Sequence, residues 1–184
     1  MLAEYGAFIV DADVIARNLQ QAGSEVVEQI AARFGDQVLS ADGSLDRAAL
    51  AALVFGDSND QQQGLSDLNQ IMRPPIRAEI DHQISVHADT DHVVVLDFPL
   101  LGENPRSDLS AMVVVDAPID IVVQRLAESR GMTEKDALAR IASQMSREDR
   151  VSKADRVIDN SGDRHALDLG TNELWQWIAS LPQL

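Results

Sequence analysis

The chain has 184 residues, of which 45% are hydrophobic, with a formal charge of −15 and no cysteine. That length suits one domain of ordinary size, and the apolar content supports a packed core. The lack of cysteine excludes a disulfide framework, a thiolate metal site and a cysteine nucleophile, and the acidity argues against non-specific nucleic-acid binding, which depends on basic side chains neutralising phosphates.

No apolar run approaches the ~20 residues that would span a bilayer, and the first residues show no basic segment followed by an apolar one. A cytoplasmic protein without a membrane segment is the expectation. The short run Gly6-Ala7-Phe8-Ile9-Val10-Asp11-Ala12-Asp13 reads as a buried parallel strand ending in an acidic turn, and Val14, Ile15 and Leu19 then open a helix. Asp11 and Asp13 fall at the strand's carboxyl end, where open α/β sheets bind ligands. Asp13 is equally well placed to cap the helix, Asp being a favoured N-cap.

Gly23-Ser24 introduces a helical face of Val26, Val27, Ile30, Ala31 and Phe34, which Gly35 ends. Ala41-Asp42-Gly43-Ser44 is a turn, helical spacing returns from Leu45 to Phe55, and Gly56-Asp57-Ser58-Asn59 breaks it again. A helix from about Gln61 then meets Pro74-Pro75. Two prolines disrupt a helix ladder, so an end is expected at Met72 or Arg73 and a new helix at Pro75.

Val93-Val94-Val95-Leu96 and Met112-Val113-Val114-Val115 read as central parallel strands closed by Asp97 and Asp116. Pro118 suits the start of the following helix. Thr133 and Asp136 resemble a capping box opening a helix through Met145. A last strand covers Arg156 to Ile158, a turn follows at Asp159-Asn160-Ser161-Gly162, and a closing helix carries Leu167, Leu174, Trp175 and Ile178. Strands separated by helices indicate a doubly wound parallel α/β sheet in a single domain over residues 1–184, with a helical substrate-side insertion at about 45–88.

Eight of the 15 basic residues lie between Arg125 and Arg156: Arg125, Arg130, Lys135, Arg140, Arg147, Arg150, Lys153 and Arg156. This segment reads either as a solvated helix face of mixed charge or as the place where a phosphorylated ligand is held. Trp175 and Trp177, on a terminal amphipathic helix, read as packing, and the four histidines lack close metal-ligand spacing, so no metal site is expected from protein ligands.

In this order and spacing the pieces resemble the dephospho-CoA kinase family. The residues that carry the resemblance are Val10-Asp11-Ala12-Asp13 with Ile15-Ala16-Arg17, Phe34-Gly35, Ala41-Asp42-Gly43-Ser44-Leu45-Asp46-Arg47, Pro99-Leu100-Leu101 with Glu103, Arg140-Ile141-Ala142 with Gln144, Arg147 and Arg150, and Ile158-Asp159-Asn160-Ser161-Gly162. The resemblance implies a fold of the P-loop nucleotide-kinase type, a helical lid at about 131–150, and transfer of phosphate from ATP, with Mg²⁺, to the ribose 3′-hydroxyl of dephospho-CoA. It implies Asp13 as the catalytic carboxylate, Arg140 as the lid arginine over the ATP phosphates, Asp11, Arg17 and Arg47 on the acceptor side, and Gln144, Arg147 and Asn160 on the nucleotide side. Asn160 is equally compatible with a plain turn. ATP and dephospho-CoA are the implied partners, with no tightly bound cofactor.

Two departures stand out. Such a site needs a glycine-rich loop whose N–H groups cradle the phosphates, with a Lys and a Ser/Thr beside it. Yet the ten glycines are scattered singly, and the only lysines are Lys135 and Lys153. The resemblance therefore implies a chain whose first strand and phosphate loop belong before Met1, and which is inactive as written, or alternatively a catalytically silent dephospho-CoA-binding module. The second departure is Arg73 before Pro74, where the family usually carries His, which touches one acceptor-side contact.

Overall fold

A computed structural model describes residues 1–56, 58–99, 101–103 and 105–182. Asp57 of the expected turn and Leu100 of the Pro-Leu-Leu run lie outside the described residues. The chain divides into two compact units, one of Phe8–Phe98 and one joining Met1–Ala7 to Pro99–Leu184.

In the unit Phe8–Phe98 the chain runs β1 (Phe8–Asp11), α1 (Ala12–Leu19), α2 (Glu25–Phe34), α3 (Arg47–Val54), α4 (Asn59–Ser85) and β2 (Val94–Asp97). β1 and β2 pair in parallel, Phe8 opposite Val94 and Asp11 opposite Asp97. Val10, Ala12, Ile15 and Ile80 form one buried cluster, which holds β1 and α1 against the C-terminal half of α4. Val26, Val27, Ile30, Phe34, Leu50, Val54 and Met72 centre a second, in which α2 and α3 close on the N-terminal half of α4. Ser24 caps α2 through the Val27 N–H at 3.2 Å, and Asp46 caps α3 through the Ala48 and Ala49 N–H groups, each at 3.0 Å.

The expected break at Pro74-Pro75 does not occur: α4 runs unbroken for 27 residues with both prolines inside it. The missing proline N–H groups cost backbone hydrogen bonds. Met72 and Ile80, on either side of the pair, are each buried in a different cluster, and this burial at both ends outweighs the local loss. Leu45 belongs to a short bridge with Leu39 rather than to α3.

The other unit contains β3 (Val113–Asp116), α5 (Ile119–Arg130), α6 (Glu134–Ala142), α7 (Arg147–Ser152), β4 (Arg156–Asp159) and α8 (Arg164–Ile178). β3 and β4 pair in parallel, with Asp116 opposite Asp159. Val114, Ile158 and Leu174 are buried where α8 covers this ladder. The tryptophans pack: Trp175 stacks on Tyr5 at 5.7 Å, and the Arg156 guanidinium lies 5.6 Å from the Trp177 ring centre.

The expected α6 boundary moves. Thr133 caps the helix as anticipated, accepting from the Asp136 N–H at 3.2 Å, but the helix stops at Ala142 because the Met145 N–H donates instead to Glu103 Oε1 at 3.0 Å. The single sheet expected from the strand-helix alternation is, among the described residues, two parallel ladders of two strands each. No helix among the described residues is long and apolar enough to cross a membrane.

Candidate functional site

Among the described residues each of the four strands ends in aspartate: Asp11, Asp97, Asp116 and Asp159. Register places them in two opposed pairs, one in each unit.

In the unit Phe8–Phe98 the corner between β1 and α1 separates the two early carboxylates. Asp11 is the N-cap of α1, its Oδ1 accepting from the Val14 N–H at 2.8 Å. That corrects the capping alternative for Asp13, which lies within the first turn of α1 with its side chain exposed. Arg17 sits one turn further on and donates from Nε to the Asp13 main-chain carbonyl at 3.2 Å. Arg47 is the first residue of α3, exposed, and makes no ion pair among the described residues. The structure thus groups Asp11, Asp13 and Arg17 on one corner and leaves Arg47 on a separate helix start.

Asp97 joins that corner. Partial burial, followed by the charges of Asp11 and then Asp13, pushes its carboxyl above the usual range. Sequence reading placed Asp97 only as a strand end, although its acid-after-apolar-run pattern is the same one that singled out Asp11.

In the other unit the buried Asp116 receives a bidentate clamp from Arg147, with Nε at 2.9 and 3.0 Å from the two carboxylate oxygens and Nη2 at 2.6 Å from Oδ2. The Arg147 hydrogen bonds hold Asp116 below the usual carboxylate range, against an opposing effect of burial. Arg147 was expected to face nucleotide; its guanidinium is engaged with Asp116. The signal for this partner was legible as the acid closing β3, but the pairing spans 31 residues and no local pattern reports it.

Asn160 follows β4. Its N–H donates to the Asp116 carbonyl at 2.7 Å, and the next residue, Ser161, donates its N–H to Asp159 Oδ1 at 2.8 Å. The Ser161 side chain first, and then its N–H, hold Asp159 below its ordinary range. A cavity of about 300 Å³ opens beside the turn, lined by Val115, Ala117, Val122, Arg125, Leu126, Ser129, Arg130, Arg150 and Asn160. Its lining combines the apolar Val115, Ala117, Val122 and Leu126 with the cationic Arg125, Arg130 and Arg150. Arg140 lies exposed in the last turn of α6, and Gln144 is exposed beyond it. Of the nucleotide-side residues, Asn160 lines this cavity; Arg140 and Gln144 do not. Among the described residues no group of three or more His, Cys, Asp or Glu side chains is disposed to hold a metal ion.

The family model for dephospho-CoA kinase matches residues 1–165. A dephospho-CoA kinase of Corynebacterium diphtheriae is 46% identical over 177 residues, which cover 95% of this chain and 86% of the relative. Among solved structures, TT1252 from Thermus thermophilus superposes with a TM-score of 0.76 at 28% identity, covering 95% of this chain and 86% of that one. The dephospho-CoA kinase from Campylobacter jejuni superposes with a TM-score of 0.70 at 22% identity, covering 97% and 88%, and shares the fold.

Proposed function

The chain belongs to the dephospho-CoA kinase family, and on that footing we propose that it serves phosphate transfer from ATP to the ribose 3′-hydroxyl of dephospho-CoA. In this reading Asp13 takes the hydroxyl proton as the ribose oxygen attacks the γ-phosphorus. The bond from that phosphorus to the β,γ-bridging oxygen breaks, and ADP leaves. What supports Asp13 for the task is the division of labour at its corner: Asp11 is committed to the Val14 N–H, while the Asp13 carboxylate makes no hydrogen bond among the described residues.

Arg17, anchored by Nε to the Asp13 carbonyl, keeps its terminal nitrogens for the acceptor, and Arg47 adds a second cation there. Arg140 supplies charge to the transferring group, Gln144 assists it, and Asn160 holds the base in the cavity it lines. Arg147 contributes by fixing the start of α7 through Asp116. Mg²⁺ would arrive with ATP as part of the substrate; no set of ligands for it is formed by the described residues.

Calorimetry with dephospho-CoA tests the acceptor half. Binding in the micromolar range is expected, weakened about tenfold by Arg17→Gln or Arg47→Gln, the loss typical of one charged hydrogen bond; no binding would remove the reading. Turnover further needs main-chain donors around the phosphates, and the 184 residues contain no Gly-x-x-x-x-Gly-Lys run. ATP-dependent conversion by the polypeptide of these residues is therefore expected at background, and an ordinary rate would refute that part. Dephospho-CoA binding with no ATP binding would favour a silent acceptor-binding module.

A further inference from the structure

Arg125 differs from the other arginines that line the cavity in where its guanidinium goes. It projects from the middle of α5 and donates from Nη1 to the Asn160 carbonyl at 2.6 Å and from Nη2 to the Gly162 carbonyl at 2.8 Å. Each terminal nitrogen thereby donates one N–H to main chain, one on each side of Ser161.

The turn those carbonyls belong to is held at two further points. The Asn160 N–H is fixed to the end of β3, and the Ser161 N–H folds onto Asp159. Three ties, to β3, to the turn's own aspartate and to α5, thus leave the Asn160 main chain little freedom. Its side-chain amide makes no hydrogen bond among the described residues, and the residue lines the cavity. A primary amide presents a donor and an acceptor side by side, the pattern that matches the edge of an adenine.

We infer that Arg125 is a positioning residue for base recognition: its bidentate clamp on the Asn160 and Gly162 carbonyls sets the turn so that the Asn160 amide faces the cavity. This rests on the reading of that cavity as the nucleotide site. The competing role for an arginine lining the cavity is to offer charge to phosphates, as Arg130 and Arg150, which make no ion pair among the described residues, would do. Arg125→Lys separates the two. Lysine keeps the charge but has a compact ammonium in place of the planar fork, and cannot bridge two carbonyls in fixed geometry.

The test is ligand-observed NMR at millimolar concentrations of ATP, adenosine and inorganic tripolyphosphate, with thermal unfolding as the check that each variant is folded. Positioning predicts that Arg125→Lys weakens ATP and adenosine up to about tenfold, the upper end for a neutral amide hydrogen bond to the base, and leaves tripolyphosphate unchanged. Asn160→Ala should give the same selective loss, and the double variant little more. Loss of tripolyphosphate binding in Arg125→Lys would assign the residue to phosphate charge and overturn the inference, as would unchanged adenosine binding in either single variant. If the unaltered protein binds no adenosine, the nucleotide reading of the cavity falls first and the inference falls with it.

Discussion

Asp116 and Asp97 are both strand-ending carboxylates, yet their surroundings push them in opposite directions. Asp116 is buried and paired, so its folded pKa lies below its unfolded value near ~3.9. Its stabilisation is therefore present above that value and is lost as pH falls through the lower folded one. Arg147→Met should destabilise the protein by about 1–3 kcal/mol at neutral pH, since Asp116 is left buried while the arginine itself is partly solvated. In urea titrations the deficit should shrink below about pH 4, as Asp116 protonates in both proteins. A deficit that stays constant down to pH 3 would mean the pair is not what the substitution removed. Asp97 reverses the sign: its folded pKa is raised, so its contribution is fully present below the unfolded value and is lost as pH rises through the folded one. Asp97→Asn should then match the parent below about pH 4 and exceed it by up to about 1 kcal/mol near pH 7, small because the side chain still reaches solvent. Chemical denaturation at the two pH values decides this, and a variant weaker than the parent at pH 7 would refute it. At this scale the sequence singled out candidate residues by type and position. It did not show that Arg147 is engaged by Asp116 or that Arg125 holds a turn, because both contacts join segments more than 30 residues apart.

Single elements were more legible than single contacts, because caps and periodicity are local. Ser24 and Thr133 each begin the helix expected of them. The exception is α4, where a local rule about proline lost to burial on both sides of the pair. The same helix holds a second conflict between local preference and packing. Gly64 is buried where α3 and α4 meet, and a Cβ there would come 2.9 Å from the Leu53 carbonyl oxygen and 3.5 Å from the Phe34 ring. By propensity alone Gly64→Ala would stabilise a helix interior by about 1 kcal/mol. The clash is with main chain, which cannot rotate away, so the substitution should instead destabilise by about 1–3 kcal/mol. Met72→Ala, which empties a filled position in the same cluster, should cost about 2–5 kcal/mol. Thermal unfolding of the two variants checks both, and a Gly64→Ala protein more stable than the parent would show that α3 and α4 are not in this close contact.

At the scale of the whole chain the alternation of strand and helix was readable, but which strands pair was not. β1 meets β2 across more than 80 residues and β3 meets β4 across more than 40; parallel ladders require such crossovers, and no hairpin turn marks them in the sequence. Charge, by contrast, needs no contact map to be used. With a formal charge of −15 and a sequence pI of about 4.4, the folded chain concentrates like charges that the unfolded chain spreads out, so self-repulsion opposes folding at neutral pH. Ion pairs such as Arg33–Asp67 and Arg147–Asp116 counter it locally. Raising NaCl from ~0.01 to ~0.15 M shortens the screening length from ~30 to ~8 Å, which weakens summed repulsion over the whole surface more than attraction within a close pair. The unfolding midpoint should therefore rise by roughly 2–5 °C at pH 7 over that range. Near pH 4.4 the net charge vanishes and the same salt step should change the midpoint little. A midpoint that fell with salt at pH 7 would mean that paired attraction, chiefly around the arginine-rich segment from Arg125 to Arg156, dominates the electrostatics of the fold.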